Sequence, residues 1–515
     1  MRQNLLKSLC ISFLLVVSAG FAMAQGVTSA NMQGNVSEAS GESLPGANIV
    51  ATHVPSGTRY GAVSDLNGRF VLPNLRVGGP YTVSVSFVGY EARSYEGIVL
   101  GLGQTYTLNA ILSDGLELEA VEVVASNSGI MNSDRTGAAT NIGTEQLSDL
   151  PSISRSVNDF VRLTPQASTA GSGVSFGGQN NRYNQFAIDG TVNNDVFGLA
   201  GNGTNGGQRT KLDEYSDYQT GFRLGGPIIK NKLFFFVNGE VTRNSSPVLF
   251  DPTSASGGSN ITVDELNRAQ SVAQRLGYDP GSYGAYSSSQ SSEKIFARLD
   301  WNVNDRNKIT LRHSYVYGEQ VSISRSPNSV NFFNSGVFFP STTNTSVFEW
   351  TSRLSNNMSN ELRIGFTSVR DDRNPLGSPF PAVNIRLSGG RSINMGSEAF
   401  SVANQLDQDV LTITDNFTVY KGKHTLTFGT HNEFYSTYNL FIRQNYGAYS
   451  YYSLEDWESV GTADEVLPRS YDYSYSRTDN PQQGAEFNAF QLGFYAQDEY
   501  QWKPNLKVTA GLRLD

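Results

Sequence analysis

The stretch IFARLDWNVNDRNKITLRHSY, residues 295–315, decides the fold of this chain. Its first half alternates between an apolar row and a largely polar row. The apolar row is Ile295, Ala297, Leu299, Trp301 and Val303, and the largely polar row is Phe296, Arg298, Asp300 and Asn302. After the turn at residues 304–307 the pattern repeats, with Ile309, Leu311, His313 and Tyr315 against Lys308, Thr310, Arg312 and Ser314. A period of two predicts an antiparallel hairpin. A soluble core would not accept the polar row, but a barrel lumen would, so we predict that the apolar row faces lipid.

Four further hairpins follow the same rule, with tight turns near residues 230–232, 355–357, 421–423 and 503–505. The last one carries an apolar stripe made of Leu492, Phe494, Ala496, Leu506, Val508, Ala510, Leu512 and Leu514. Tracts rich in Ser, Gly and Tyr, such as residues 245–292 and 446–486, lie between hairpins and are predicted to be extracellular loops. We therefore predict that residues 221–515 form the N-terminal part of an outer-membrane β-barrel.

The composition supports a membrane barrel. The 515 residues include 25 Tyr and 29 Phe, yet only 17% of the chain is charged. Abundant aromatic residues with low charge are typical of strands that carry aromatic girdles through a membrane. No internal segment is apolar enough for a transmembrane helix. The net charge of -9 argues against a nucleic-acid partner.

The start of the chain indicates export. Arg2 and Lys7 precede a short apolar run at residues 11–17, and a small-x-small pattern at residues 22–24 follows. Residues 1–24 are predicted to be a signal peptide, and the alternative is a buried N-terminal strand. We expect a location in the outer membrane of a Gram-negative cell. Cys10 is the only cysteine, so we expect neither a disulfide nor a thiolate metal site after export.

Residues 25–115 are predicted to form a β-sandwich of roughly seven strands, because period-two alternation recurs between Gly and Pro turns. Tyr81, Val83, Val85 and Phe87 face one way. The motifs GESLPGANI, SDLNGRFVLPNL and YTVSVSFVGY, which begin at residues 41, 64 and 81, resemble the carboxypeptidase regulatory-like domain. This resemblance implies a carbohydrate-binding-like fold that often precedes outer-membrane receptors.

Enzyme chemistry has no support in the sequence. A zinc peptidase needs closely spaced His and carboxylate ligands. The four histidines, His53, His313, His424 and His431, stand in no such arrangement, and they are interpreted as structural or surface residues. We predict no catalytic residue, no metal site and no cofactor.

Residues 116–134 are predicted to be a linker that begins with a β-prone stretch. An extended segment beside a linker can add itself as a strand to the sheet edge of a partner. The stretch resembles the energy-coupling box before the plug of TonB-dependent receptors, which implies a TonB-type partner for Val121, Glu122, Val123 and Val124. The alternative is the first strand of the next domain.

Residues 135–220 show a compact α/β pattern. Thr144 and Ser154 can each cap a short helix, and Pro165 ends the second one. The runs LPSISRSVNDFVRLTPQAS from residue 150 and SFGGQNNRYNQFAIDGTVNND from residue 175 resemble the plug of TonB-dependent receptors, closest to the Oar-like, SusC-related branch. In that family apical plug loops touch substrate. The resemblance thus makes Gln179, Asn180, Asn181, Arg182 and Tyr183 candidate ligand-binding residues, and the alternative is an ordinary solvated loop.

The barrel run GFRLGGPIIKNKLFFFVNGE, residues 221–240, also resembles Oar-like receptors. The expected fold is mainly β: a sandwich, a small α/β plug and a partial antiparallel transmembrane barrel. The expected function is energy-coupled uptake of a peptide, glycan or chelate, with a surface lipoprotein as a further partner. The alternative is an adhesive or structural surface barrel; a secreted peptidase lacks metal ligands.

Two departures from the family pattern predict a fragment or a truncated product. Only residues 191–220 separate the plug motif from the first barrel hairpin, so the plug looks incomplete. Five hairpins give about ten strands, whereas plugged transporters use about 22.

Overall fold

The computed structural model describes residues 29–113, 120–123, 216–254, 258–503 and 506–515, together with short pieces between residues 142 and 192. The predicted signal peptide, most of the linker and most of the predicted plug lie outside the described residues. The described chain is predominantly antiparallel β-structure, as predicted from the sequence.

The N-terminal part is a sandwich of two sheets. One sheet has the order β4-β1-β7 with β8 also paired to β1, and the other has the order β3-β2-β5-β6-β9. Its strands are β1 (Ala30–Glu38), β2 (Asn48–His53), β3 (Thr58–Val63), β4 (Arg69–Leu75), β5 (Gly78–Ser86), β6 (Arg93–Leu100), β7 (Thr105–Thr107), β8 (Ala110–Leu112) and β9 (Ala120–Val123).

The alternation seen in the sequence forms the sandwich core. Tyr81, Val83 and Val85 of β5 are fully buried between the two sheets, as predicted. The turn before β4 requires glycine at position 68, because φ is +73° there and an added Cβ would lie 2.4 Å from the Val36 carbonyl oxygen. The sandwich therefore has a closed apolar core of its own.

Short elements follow in the region of the predicted plug. They are the helix α1 (Val157–Val161) and the strands β10 (Ala167–Ser168), β11 (Ser175–Phe176), β12 (Ala187–Ile188) and β13 (Thr191–Val192). β10 pairs with β11, and β12 pairs with β13. Helix α1 begins three residues after the predicted cap Ser154.

The C-terminal part is one large antiparallel sheet, called the wall below. Ten long strands follow one another in the order of the chain, and the short strand β21 (Asn374–Pro375) pairs with β19. The ten strands are β14 (Ser216–Ile229), β15 (Leu233–Pro247), β16 (Ser287–Asn304), β17 (Asn307–Ser322), β19 (Val337–Ser355), β20 (Met358–Asp372), β24 (Asn404–Lys421), β25 (His424–Phe441), β28 (Ala485–Lys503) and β29 (Leu506–Leu514). All five hairpins predicted from the sequence are present, and their short turns lie at one end of the wall.

The long connections at the other end fold together into a layer called the cap. Its sheet has the order β18-β23-β22-β26-β27, and two helices pack on it. The cap elements are β18 (Ser329–Asn331), β22 (Ala382–Leu387), β23 (Arg391–Met395), β26 (Ala448–Tyr451), β27 (Ser470–Asp472), α2 (Val263–Arg275) and α3 (Leu454–Glu458). The sequence predicted plain loops here, but four separate segments share one buried apolar core.

Helix α2 shows why this layer is ordered. Thr262 and Glu265 form a capping box at its start, and the residues it buries against the cap sheet are Leu266, Ala269, Val272 and Ala273. Trp457 of α3 is buried beside it, and its Nε1 donates to the Ala269 carbonyl oxygen at 3.0 Å. The described helices are all too short or too polar to cross a bilayer.

Candidate functional site

The wall has its polar and apolar faces reversed with respect to a soluble sheet. Leu299 and Leu311 are directly paired across β16 and β17, yet they are 41% and 47% exposed. The opposite face buries charged and hydroxyl side chains, including Arg363 and Thr412, each 2% exposed. Exposed apolar rows with a buried polar face are what a lipid-facing sheet around a polar interior requires. We call the apolar side the outer face and the polar side the inner face.

A buried ion-pair group lies on the inner face of β19 and β20. Arg363 Nε lies 3.3 Å from Glu349 Oε2, and the other end of the guanidinium pairs with Glu361. The alternation of the strands places all three side chains on one face, and the register brings Arg363 opposite Glu349. Burying charges is costly unless they are paired and hydrogen-bonded, so each member of this group depends on the others.

A second polar group follows on β24 and β25. Thr414 Oγ1 lies 2.8 Å from His431 Nδ1, and His431 Nε2 lies 3.0 Å from Glu433 Oε1, which leaves no ring nitrogen for a metal. Tyr435 donates to the same carboxylate. No set of three His, Cys, Asp or Glu side chains within the described part of the chain is grouped to hold a metal ion.

The inner face also carries polar groups that have no hydrogen-bond partner. Both amide atoms of Gln408 and the hydroxyl of Thr412 are buried and unpaired among the described residues. The two residues lie four apart on β24 and thus share the inner face. An unpaired buried polar group costs about 1–3 kcal/mol, so this part of the wall is suited to contact water or another polar surface.

The predicted ligand-binding residues, Gln179, Asn180, Asn181, Arg182 and Tyr183, lie outside the described residues. The base of their loop is described on both sides. Asn184 Nδ2 donates to the Val174 carbonyl oxygen at 2.6 Å, and Val174 is buried. This hydrogen bond joins the two ends of the polar loop, and the loop residues remain predicted ligand contacts.

The predicted energy-coupling segment lies in an unexpected place. Val121, Glu122 and Val123 belong to β9, which pairs in parallel with β6 of the sandwich, while Val124 is outside the described residues. The sequence left open a coupling segment or the first strand of the next domain. In the structure residues 120–123 form the edge strand of the sandwich sheet, and the coupling role stays a prediction.

Comparison with family models decides the class of the wall. The model of the outer membrane beta barrel domain matches residues 192–270 and 267–515. The chain belongs to the outer membrane beta barrel family. A second model, the carboxypeptidase regulatory-like domain, matches residues 31–113. The predicted resemblance to outer-membrane receptors that carry this N-terminal domain is confirmed for both parts. As a member of this barrel family, the protein belongs in the outer membrane.

Solved structures give weaker similarities. The outer membrane transporter YddB from Escherichia coli is 11% identical with a TM-score of 0.38, over 58% of this chain and 33% of that one. A mutant of the ferric enterobactin receptor PfeA from Pseudomonas aeruginosa is 15% identical with a TM-score of 0.34, over 58% and 36%. The barrel protein thus spans about a third of the length of these receptors. Catechol 1,2-dioxygenase from Acinetobacter radioresistens is 14% identical with a TM-score of 0.15, over 19% and 58%.

No curated protein matches the chain.

Sequence reasoning missed two features of this barrel protein. The ion-pair group of Arg363 was hidden because Glu349 lies on another strand, although the alternation of residues 361 and 363 was visible. The cap core was hidden because each of its segments has an ordinary loop composition.

Proposed function

We propose that the protein is a TonB-dependent outer-membrane receptor that takes up a ligand through the barrel, with a plug that gates the lumen. The observation that carries this proposal is the reversed wall, with apolar rows outside and a paired ionic group inside. A polar interior is common to outer-membrane barrels, so the inner face supports a lumen in which further polar chain can be held. A lumen that holds a movable plug needs polar groups that form and break contacts.

Capture of the ligand is assigned to the outer end of the molecule. The cap covers the end of the wall opposite the short turns, which is the extracellular end of an outer-membrane barrel. Gln179, Asn180, Asn181, Arg182 and Tyr183 supply amide, guanidinium and phenol groups at the plug apex. Such a set can hold a peptide, a glycan or a chelate, and a surface lipoprotein is the proposed helper.

Energy coupling is assigned to the segment at residues 121–124. After export directed by the signal peptide, a TonB-type protein would bind this segment by strand addition, in which backbone hydrogen bonds supply the affinity. Among the described residues β9 is the last strand of its sheet, so its edge away from β6 is the one that such a strand addition would use.

The test is uptake by cells that express the full chain. The probes are a labelled oligopeptide pool, a labelled oligosaccharide and a ferric catecholate. We expect uptake of one probe that stops when a protonophore collapses the proton gradient. Val123→Pro removes a backbone donor and should abolish uptake, whereas Val123→Thr should retain it. Uptake of none of the probes, or uptake insensitive to both treatments, would contradict the proposal.

An adhesive barrel without transport is the second candidate, and one observation favours it. Tyr471, Tyr473 and Tyr475 form a row of stacked rings at the edge of the cap, and each is at least half exposed. Exposed aromatic rows are typical of binding surfaces. An adhesin would keep its surface binding when the proton gradient collapses, and a transporter would lose uptake.

A further inference from the structure

The sandwich contacts the inner face of the wall at the end where the short turns lie. Arg76 Nη2 lies 2.7 Å from Asp300 Oδ2 on β16. Asn302 Nδ2 donates to Thr58 Oγ1 at 3.3 Å, and Ser29 Oγ donates to Glu361 Oε2 at 3.4 Å. These contacts reach separate strands of the wall, so the sandwich lies across the wall rather than against a single turn.

The contact is built from fixed groups on the sandwich side. The backbone N–H of Arg76 donates to the Tyr60 hydroxyl at 3.0 Å, and the Tyr81 hydroxyl donates to the Arg76 carbonyl oxygen at 2.6 Å. Both tyrosines belong to the sandwich core. The core thus holds the base of the Arg76 side chain in place where it meets Asp300.

The wall side holds a lysine whose aromatic partner belongs to the sandwich. Lys308 Nζ lies 3.0 Å from the centre of the Tyr60 ring, and this nitrogen is buried with no hydrogen-bond partner among the described residues. A cation over an aromatic face is stabilised most when both groups are desolvated. If the sandwich moved away, Lys308 would recover its water, so the contact can open without leaving an unsolvated charge.

Asp300 would also remain satisfied if the sandwich moved away. It accepts hydrogen bonds from Arg298 Nη2 at 2.8 Å and Thr310 Oγ1 at 3.0 Å, both on the wall, in addition to Arg76. Those two partners remain when Arg76 leaves. An interface that combines one partly exposed ion pair with a cation–π contact and a few hydrogen bonds is typical of domains that separate and rejoin.

We propose that the sandwich is a reversible cover over the periplasmic end of the lumen, held by a latch of Arg76, Tyr60, Asp300 and Lys308. The periplasmic assignment follows from the short turns that surround the contact. Because β9 is part of the same sandwich, a pull on residues 120–123 acts on the cover as well as on the plug. Only the consequence for passage of a ligand depends on the proposed function.

Docking can be tested by a disulfide in the full chain in outer membranes. A Cβ added at Gly57 would lie 3.3 Å from Asn231 Cγ in the first short turn of the wall, so side chains at these two positions are in direct contact. Gly57→Cys with Asn231→Cys should form an oxidised cross-link between sandwich and wall. Gly41→Cys with Asn231→Cys is the matched control, because a Cβ at Gly41 also has positive φ but meets nothing within 4 Å. Absence of the first cross-link, or equal yields from both pairs, would overturn the docking.

The latch can be tested in the same cross-linking background. Arg76→Glu should slow cross-linking by about tenfold, whereas Arg59→Glu, at an exposed arginine of the same sandwich, should leave the rate unchanged. In a separate chain, Thr351→Cys, which lies opposite Lys308 on the inner face and borders the cleft beside Tyr60, should react slowly with a maleimide, and Arg76→Glu should speed this reaction. Equal effects of the two arginine changes, or fast labelling before undocking, would overturn the cover.

Neither measurement needs a ligand or an energised membrane. A failed cross-link therefore leaves the proposed uptake standing, and a failed uptake assay leaves the cover standing.

Discussion

The sandwich and the wall share one sequence pattern and bury opposite sides of it. In β5 of the sandwich, Val83 and Val85 are completely buried while Thr82 and Ser84 lie at the half-exposed positions between them. In β16 of the wall, Leu299 and Trp301 are exposed while Asp300 lies between them on the inner face. Alternation therefore predicts a strand in both regions, but it does not say which face is buried.

The polar side chains and the lengths of the strands indicate which face is buried. The polar positions of β5 carry small hydroxyl groups, which suit ordinary solvent exposure. The polar positions of the wall include hydroxyl groups too, but they also carry long charged side chains, such as Arg363 and Glu361, that pair with one another on the inner face. The sandwich strands are at most nine residues long. The long wall strands β16, β17, β19, β20, β24, β25 and β28 have 15–19 residues each, which is enough for a tilted strand to cross a bilayer.

The largest expected loss of stability comes from a substitution on the inner face of the wall. Arg363→Met leaves the carboxylates of Glu349 and Glu361 buried without their cation, which should cost about 3–5 kcal/mol and sharply reduce folded protein in the outer membrane. Arg243→Met is the control, because Arg243 and Glu293 form an ion pair that is roughly half exposed. That change should cost no more than about 1 kcal/mol. Similar losses of heat-resistant, folded protein in both variants would show that the inner face is not a dry polar interior.

The next effect is on the outer face. Leu299→Arg places a charge in lipid and should cost about 2–4 kcal/mol near the bilayer midplane. Leu66→Arg in the sandwich should be silent, although Leu66 is also exposed, because its surroundings are water. Urea unfolding of protein reconstituted in vesicles measures both. If Leu66→Arg proved as destabilising as Leu299→Arg, the exposed residues of the sandwich and of the wall would not differ in facing water and lipid.

A pH effect should separate the sandwich from the wall. Burial, with Arg76 and Lys308 nearby, lowers the pKa of His53 to about 4. The folded sandwich thus favours the neutral ring, and this preference adds to the free energy of unfolding. The added stability is complete above the unfolded pKa of about 6.5 and is lost as the pH falls from there to about 4, by about 3 kcal/mol in total. Hydrogen exchange of the β2 and β3 amides should show this loss, and His53→Gln should remove it. A pH response that survives His53→Gln would point to another group.

The smallest effects should have opposite signs in the two regions. Val83→Thr adds a hydroxyl to the apolar sandwich core and should cost about 1–3 kcal/mol. Thr412→Val on the inner face removes a buried hydroxyl that has no partner among the described residues, and it should be neutral or stabilising. Equal destabilisation by the two changes would indicate that water or an undescribed group pairs with Thr412.

Local patterns made much of this molecule predictable. The hairpin of β16 and β17 could be predicted because its turn, its alternation and its register all lie within residues 295–315. The sandwich could be predicted for the same reason, with Tyr81, Val83 and Val85 on one face of a single strand.

Features that join distant segments could not be predicted. Ile261, Phe332, Ile393 and Trp457 meet in the cap core, yet each stands in a separate polar tract. Arg76 and Asp300 are 224 residues apart, and neither has a local sequence signal for the other. The proposed ligand contacts at residues 179–183 rest on composition and resemblance alone, and they remain predictions.

Burial of one pattern on opposite sides in the sandwich and in the wall can be measured by scanning nitroxide labels. Single cysteines placed one at a time at residues 295–303, and at Val83 as a reference, are labelled in reconstituted membranes and probed with oxygen and with a water-soluble nickel complex. We predict that oxygen reaches the label best at Leu299 and Trp301, that oxygen access drops at Arg298, Asp300 and Asn302 on the inner face, and that neither probe reaches the label well at Val83. Oxygen access without a period of two across residues 295–303, or oxygen access at Leu299 equal to that at Asp300, would contradict the assignment of the two faces.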